Sequence, residues 1–536
     1  MQHVARLSPL LLALAVAGAA SAQERPPTNP FLSAPIYGMT HFDPAQTDTV
    51  PYPVKRGEFR VDSEKAPRIA AGPVNIMNLS STRPGFMWAI STERVTYVDA
   101  REGRWQGVAE IGLPGITLKS KADLDALLGG TYADIADVER RAKAVLGPAP
   151  QNVTTSGLYT VADKDDVVYV NAGTVICAIG LKDPTRPEAG LEIKRTLDTA
   201  TVFPAFELPG YGKAVRLIGM SMTYDGHLVI GSYNAIAVVD RMFAKPAVLH
   251  TLEPDQLISN SFSVDEKNGI YVASGNLAPR GDGKLRKVVW NGARLSTEES
   301  DGGWISPYEG GDWPPAVKGG TGTGSTPTLM GFGPKNDERL VVLTDGVNRM
   351  KIVAFWRDAI PADFQQKPGT KSRRIAGQMP ITAGLPPETP WVQSEQSVVV
   401  NGWGAFVVNN IVQGHPDKMI DVLAIGPILP APRGMERVEW DVAKREWRSL
   451  WTRADVASTS MVPVASSASG MVFVNGYSRN EGWEVTGLDW ASGTTVHRTL
   501  LGPSNLGNGA YALIQFTPEG DLLFNSVGGP LRVKLP

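Results

Sequence analysis

The sequence predicts an all-β protein, a β-propeller of eight blades, or of seven if the first copy is incomplete. Three observations carry this expectation. A pattern of paired strands recurs eight times, Gly and Asp punctuate the turns between the pairs, and only one short stretch shows helical spacing. The clearest copy lies within residues 318–358. There 325–331 reads as a strand and 334–338 as a polar turn. A Val/Leu-rich strand follows at 339–344, then a tight turn at Asp345 and Gly346, then an alternating strand at 350–356.

The copies begin near Phe86, Leu158, Met220, Phe262, Thr326, Ser397, Met461 and Ala512. Each places Gly or Asp in a short turn between two β-rich runs, as a hairpin requires. With 56 Gly and 41 Pro, turns are frequent and long helices few. The propeller is assigned to residues 73–536. Its one helical insertion, at 120–147, has Ser120 as N-cap with Asp123 three residues on. Ile135, Val138, Ala142 and Val145 keep helical spacing, and Gly147 with Pro148 ends the run. This insertion reads as a structural flap on the rim. The chain ends on a strand, PLRVKLP, which N-terminal strand material is expected to pair with so that the ring closes.

Residues 1–22 read as a signal peptide. His3 and Arg6 precede an apolar core at 7–17, and Ala20, Ser21 and Ala22 form a small-residue cleavage site. The expected location is periplasmic or secreted, with no integral membrane span. Loss of Arg6 takes the formal charge from −2 to −3, a balance that argues against nucleic-acid or anionic-membrane partners. The single Cys177 rules out an intramolecular disulfide and reads as a buried thiol. Residues 23–72, rich in Pro and polar side chains, are expected to wrap over the ring as an extended arm. Within it 40–48 concentrates His41, Asp43, Gln46 and Asp48, which read as surface turn chemistry.

Propeller geometry sorts the turns. Those at 163–166, 225–227, 333–337 and 518–521 fall on the underside, and the opposite face gathers mostly Asn, Ser and Thr. On that face Asp345, Glu395 and His415 are the candidate catalytic groups, able to exchange protons. Thr321, Thr323 and Ser325 belong to a Gly/Thr run whose backbone N–H groups could form an anion nest. Asn348, Arg349, Asn409, Asn410 and Arg479 complete the candidate substrate-binding set. Each of these residue types also serves in ordinary turns. No Cys-x-x-Cys-His, Gly-x-Ser-x-Gly elbow, His-Glu-x-x-His or P-loop is present.

The long, Trp-containing copies, with Trp88, Trp356, Trp403 and Trp483 among thirteen Trp, resemble the broad quinoprotein-like superfamily of exported bacterial propellers. The resemblance covers roughly residues 75–536 and implies the propeller fold. The Gly-x-x-x-Trp docking repeat and the adjacent cysteines of its pyrroloquinoline-quinone dehydrogenases are not traced here, so no catalytic residue carries over. The sequence requires no cofactor; quinone and calcium stay open, and a metal site is unknown. The expected function is acid–base chemistry, as hydrolase or lyase, on a small oxygen-rich or anionic substrate, by a monomeric protein. The alternatives are a quinone-dependent dehydrogenase and a non-catalytic envelope scaffold.

Overall fold

The computed structural model describes residues 25–535 except 71, 149–155, 209–211, 313–314, 316, 334–337 and 415–417. The signal peptide and His415 lie outside the described residues. All eight sequence copies fall on sheets. Seven of these sheets have four or more strands, and the last, Ile514–Phe516, Leu522–Ser526 and Gly529–Val533, has three. The first four sheets touch in chain order through their innermost strands, as do the fifth, sixth and seventh, and the eighth meets the seventh through Met471–Ser478, which gives the ring of a propeller. The ring closes where Leu513 N donates to Ile76 O, at 2.9 Å, and Asn78 N donates to Gln515 Oε1, at 2.7 Å.

Sheets sandwiched on both faces need apolar side chains on both faces, so these strands read as runs of Val, Leu and Ile. In the fifth sheet, Leu340–Thr344 and Lys351–Trp356 are buried almost throughout. Met330, Val342 and Ile352 of that sheet pack with Val398, Val400 and Val407 of the next. Between the third and fourth sheets the ring of Phe262 fills the space that a Cβ on Gly219 or Gly231 would need, at 2.7 and 2.5 Å. Cys177 is buried, and burial pushes its thiol up to about 11.

The helical insertion forms as expected. Helix α1 (Lys121–Leu128) opens on a Ser120–Asp123 capping box. Helix α2 (Ile135–Leu146) buries Val138 and Ala142 and stops at Gly147, whose φ is 93°. The helices lie on the channel's upper face, where α2 meets the short turn Met419–Leu423 of the sixth sheet's excursion. No described helix is long and apolar enough to cross a membrane.

Two expectations are corrected. Phe86–Ile90 is the second strand of the first sheet, and Asn78–Ser80 is its innermost strand. A turn between first and second strands has the same local chemistry as one between second and third, so the pattern misplaced that copy by one strand. The second correction concerns the arm, which does not wrap over the ring: residues 29–50 run inside the channel. Tyr37 O accepts from Ser80 N, Gly38 O from Ala162 N, Pro44 O from Val264 N and Ala45 O from Leu329 N, at 2.7–2.9 Å. Thr47 O accepts from Val400 N and Asp48 O from Ala465 N, and Thr49–Val50 pairs in parallel with Val464–Ser466. Asn29 Nδ2 donates to Met222 O at 3.1 Å, and the Tyr37 hydroxyl bonds both N and O of Phe516 at 3.0 Å. Every innermost strand of the ring is therefore tied to the arm. Without it those strands would leave backbone groups unpaired in the channel.

The arm enters and leaves from the underside, where Phe31 O accepts from Lys164 N and the Ser469 hydroxyl accepts from Val54 N. It then runs along the outer edge. Gly57–Arg60 pairs with Thr495–Gly502, and Arg68 bridges Leu531 as a fourth edge on the last sheet. Closure by N-terminal strand material is thus present. Truncation after Pro530 removes Leu531, Val533 and Leu535, all buried. At roughly 1.5–3 kcal/mol each, the loss is a large part of a typical net stability of about 5–15 kcal/mol. The expected result is aggregation or a large fall in melting temperature by calorimetry, and an unchanged melting curve would contradict closure at this edge.

Candidate active site

The channel's upper half gathers residues that immediately precede the innermost strands. Tyr159, Asn260, Glu395 and Tyr511 come from four different sheets, and each keeps part of its surface open although the protein surrounds it. The Tyr159 hydroxyl donates to Asn260 Oδ1, which also accepts from Thr326 Oγ1 at 2.8 Å. Glu395 Oε1 accepts from Ser460 Oγ at 2.9 Å and from Asn410 Nδ2 at 3.2 Å. Ser460 O in turn accepts from Tyr511 N at 3.1 Å, which ties the last sheet to the same group.

The arm supplies the floor. His41 Nδ1 faces both oxygens of Asp48, at 3.0 and 2.9 Å, with both residues buried. That contact turns the Nε2 edge of the imidazole away from Asp48, and the ring stacks on Tyr159 with centroids 6.4 Å apart. The turn that presents this pair is strained. Tyr37, His41, Phe42, Gln46 and Asp48 all have φ between 51° and 75°, and Tyr511 across the channel has φ 61°. Non-glycine residues rarely adopt this region, and such strain concentrates at functional sites.

Burial controls the electrostatics. Desolvation pushes the Glu395 carboxyl up to about 7, against the hydrogen bonds from Ser460 and Asn410 that favour the anion. Desolvation brings the Lys318 ammonium down to about 7, with Asp345 and Glu395 pulling the other way. Lys318 Nζ donates to Gln393 Oε1, beside the path to Glu395. Burial raises the Tyr159 phenol, which also senses the charges of Glu395 and Asp48, so it stays a proton donor. Asp43 lies deeper in the arm, accepts from Thr47 Oγ1 at 2.6 Å, and is pushed up to about 6 by burial.

These shifts fix a pH dependence of stability. Asp43, Asp345 and Glu395 have folded values above their unfolded ones. Their contribution is complete below about pH 4 and is lost as pH rises through 6 to 7. Lys318 has the opposite sign: its contribution is lost as pH falls through about 7. Carboxylates held low, such as Asp99 beside Arg101, lose theirs only in stronger acid. Burial also holds His250 and His497 below the usual range, so they oppose the carboxyls on the acid side. The Glu395 contribution is therefore read by difference: Glu395→Gln is expected to melt progressively higher relative to wild type as pH rises from about 5 to 8. A difference between the two melting curves that does not change with pH would contradict this environment.

The structure separates the residues singled out from sequence. Glu395 and Asn410 come together as described. Asp345 is a clamp of its own turn, with Oδ1 accepting from Lys351 N at 2.8 Å and Val347 N at 3.4 Å, and Oδ2 3.6 Å from Lys351 Nζ. Asn409 bonds Gln393 N and Arg433 O. Thr321 N and Oγ1 both donate to Asn276 O, and Thr323 N donates to the Tyr308 hydroxyl. Thr323 and Ser325 share a hydrogen bond at 2.8 Å. The amides of Thr321 and Thr323 are thus spent inside the fold, which removes them from the expected nest. Asn348 donates to Asp312, and Arg349 donates to Pro386 O and Thr389 O on the rim. Arg479 is exposed in the turn whose Glu481 pairs with the outer-edge Arg60. His41 and Asp48, read from sequence as surface turn residues, are buried, and Lys318 was not singled out. The clustering of His41 with three polar side chains in 40–48 was the one available signal.

Among the described residues no three His, Cys, Asp or Glu side chains come together as a metal-binding group.

Fold and site together define a plugged β-propeller with an acid-bearing polar chamber at one channel mouth. No protein-family profile matches the chain. A curated relative, an uncharacterized protein of Archaeoglobus fulgidus, is 31% identical over 339 residues, or 61% of this chain. The match spans 63% of that relative, less than two thirds of its length. Among solved structures, the fold is similar to a quinohemoprotein alcohol dehydrogenase from Pseudomonas putida HK5, at 12% identity and TM-score 0.49, over 91% of this chain and 75% of that one. It is also similar to a europium-containing methanol dehydrogenase, at 10% identity and TM-score 0.48, over 91% and 88%.

Proposed function

We propose that the protein is an enzyme that performs acid–base chemistry, hydrolysis or elimination, on a small oxygen-rich substrate held in the upper channel. The observation that carries this reading is Glu395. Its carboxyl is surrounded by protein, keeps surface open to the chamber, and is pushed up to about 7. A group that titrates near the working pH takes and returns protons most effectively. His41, oriented by Asp48, is the second proton-transfer group, and Tyr159, whose hydroxyl donates to Asn260, leaves its oxygen to accept from a substrate hydroxyl. Asn260, Asn410 and Ser460 supply neutral hydrogen bonding, which suits hydroxylated or carbonyl-bearing ligands. Location in the periplasm or medium is part of the same proposal and rests on the signal-peptide pattern at 1–22.

The test is turnover of a panel of sugar lactones, esters and uronate-containing oligosaccharides, followed by proton release and by absorbance of unsaturated products. In parallel the protein is incubated with pyrroloquinoline quinone and calcium and assayed for alcohol-dependent dye reduction. Hydrolysis or elimination without added cofactor is expected. Dye reduction that appears only after reconstitution would replace this reading with the dehydrogenase.

A further inference from the structure

A second site lies on the opposite face. Where the arm enters the channel, Arg25, Pro27, Glu266, Phe332, Gly333, Arg339 and Arg357 line a cleft of about 390 Å³ between the underside turns of the fourth and fifth sheets. Its charged groups are three guanidiniums and one carboxylate. Arg339 is paired with Glu266, Nη1 to Oε1 at 2.5 Å.

Arg357 is different. It is 1% exposed, and its Nε and Nη1 are buried with no hydrogen-bond partner among the described residues. Its guanidinium lies over the Phe332 ring, 5.7 Å from the centroid. The surrounding structure holds it there. Arg357 N donates to Arg339 O at 2.8 Å, and Arg357 O accepts from Trp304 Nε1 at 3.1 Å and Lys287 Nζ at 3.3 Å. An arginine does not lose its proton in a protein, so an unpaired buried guanidinium is costly unless something pairs with it. Among the described acids nearby, Asp265 accepts from the Tyr271 hydroxyl at 2.7 Å, and Asp358 pairs with Lys287 at 2.8 Å.

We infer that this cleft is an oxyanion site, taking a carboxylate or phosphate group on Arg357, with Arg25 and Arg339 at its mouth. A planar guanidinium offers two parallel N–H donors to such a group, and Phe332 fixes the plane in which they point. Arg25 belongs to the arm, and Pro27 O accepts from the Tyr224 hydroxyl at 2.7 Å. A bound anion therefore joins the arm to the fourth and fifth sheets and fastens the plug from below. The site is independent of the Glu395 chamber.

The test is thermal unfolding and calorimetric titration with inorganic phosphate and, separately, malonate, against chloride at matched ionic strength. A saturable rise in melting temperature with either anion is expected, the stronger arm naming phosphate or carboxylate as the ligand chemistry. Arg357→Met is expected to weaken binding by at least about tenfold. If Arg357→Met does not fold, Arg339→Gln reports instead through a smaller loss of affinity. Glu266→Gln removes the competing carboxylate and is expected to tighten binding. No response beyond that of chloride, or equal responses in wild type and Arg357→Met, would overturn the site.

Discussion

Glu395→Gln is expected to lower turnover by about 10²–10⁴-fold, the usual worth of a positioned acid or base. Gln keeps the size and can still accept from Ser460 and Asn410, so geometry survives while the titrating proton is lost. The wild-type rate should show a limb near pH 7, where Glu395 changes charge, and the variant should lack it. Stability gives the control. A carboxyl pushed up by burial destabilises the fold when ionised, so the variant should melt at the same temperature or higher at pH 8. Asp345→Asn provides the contrast, because its oxygen holds Lys351 N and Val347 N in a tight turn. That variant should retain its rate while its melting temperature changes. Wild-type rates and pH profile in Glu395→Gln would remove the upper chamber from consideration as the catalytic site.

Deleting residues 25–50 is expected to abolish cooperative folding of the ring. The deletion removes Ile36, Tyr37, Met39, Phe42 and Val50, all buried in the channel. It also removes the hydrogen bonds that tie the arm to every innermost strand. Burial of each such side chain is worth roughly 1.5–3 kcal/mol, so the sum approaches or exceeds a typical net stability of about 5–15 kcal/mol. Phe42→Ala is the milder version, with an expected cost of about 3–5 kcal/mol. Far-ultraviolet circular dichroism and calorimetry read both variants, and addition of a synthetic 25–50 peptide should restore order to the truncated chain. A truncated protein that melts as the full chain does would show that the ring stands without its plug.

The strands were legible because their signal is local. Val341 to Leu343 and Ile352 to Phe355 are short apolar runs within a few residues of the turn that joins them. The cap on α1 is equally local, since Ser120 and Asp123 satisfy each other. The position of Glu395 was legible as well, because its place ahead of an innermost strand follows from the repeat. Position alone could not separate it from Asp345, since both are carboxylates on the same face. Only their partners distinguish them, and the partners of Glu395 come from Asn410 and Ser460, well beyond its own turn.

By itself, then, the sequence determined the repeated hairpins, the helical insertion, the faces on which most turns lie, and the edge at which the chain closes. The tertiary structure alone decided that residues 29–50 fill the channel. Nothing in their Pro-rich, polar composition announces burial. Their carbonyls are satisfied by Val264, Leu329, Val400 and Ala465, amides some 220 to 420 residues away. A buried segment without its own secondary structure depends on such distant partners for every backbone group. The same distance hid the His41–Asp48 pair, which is a surface turn by its sequence and the floor of a chamber by its surroundings.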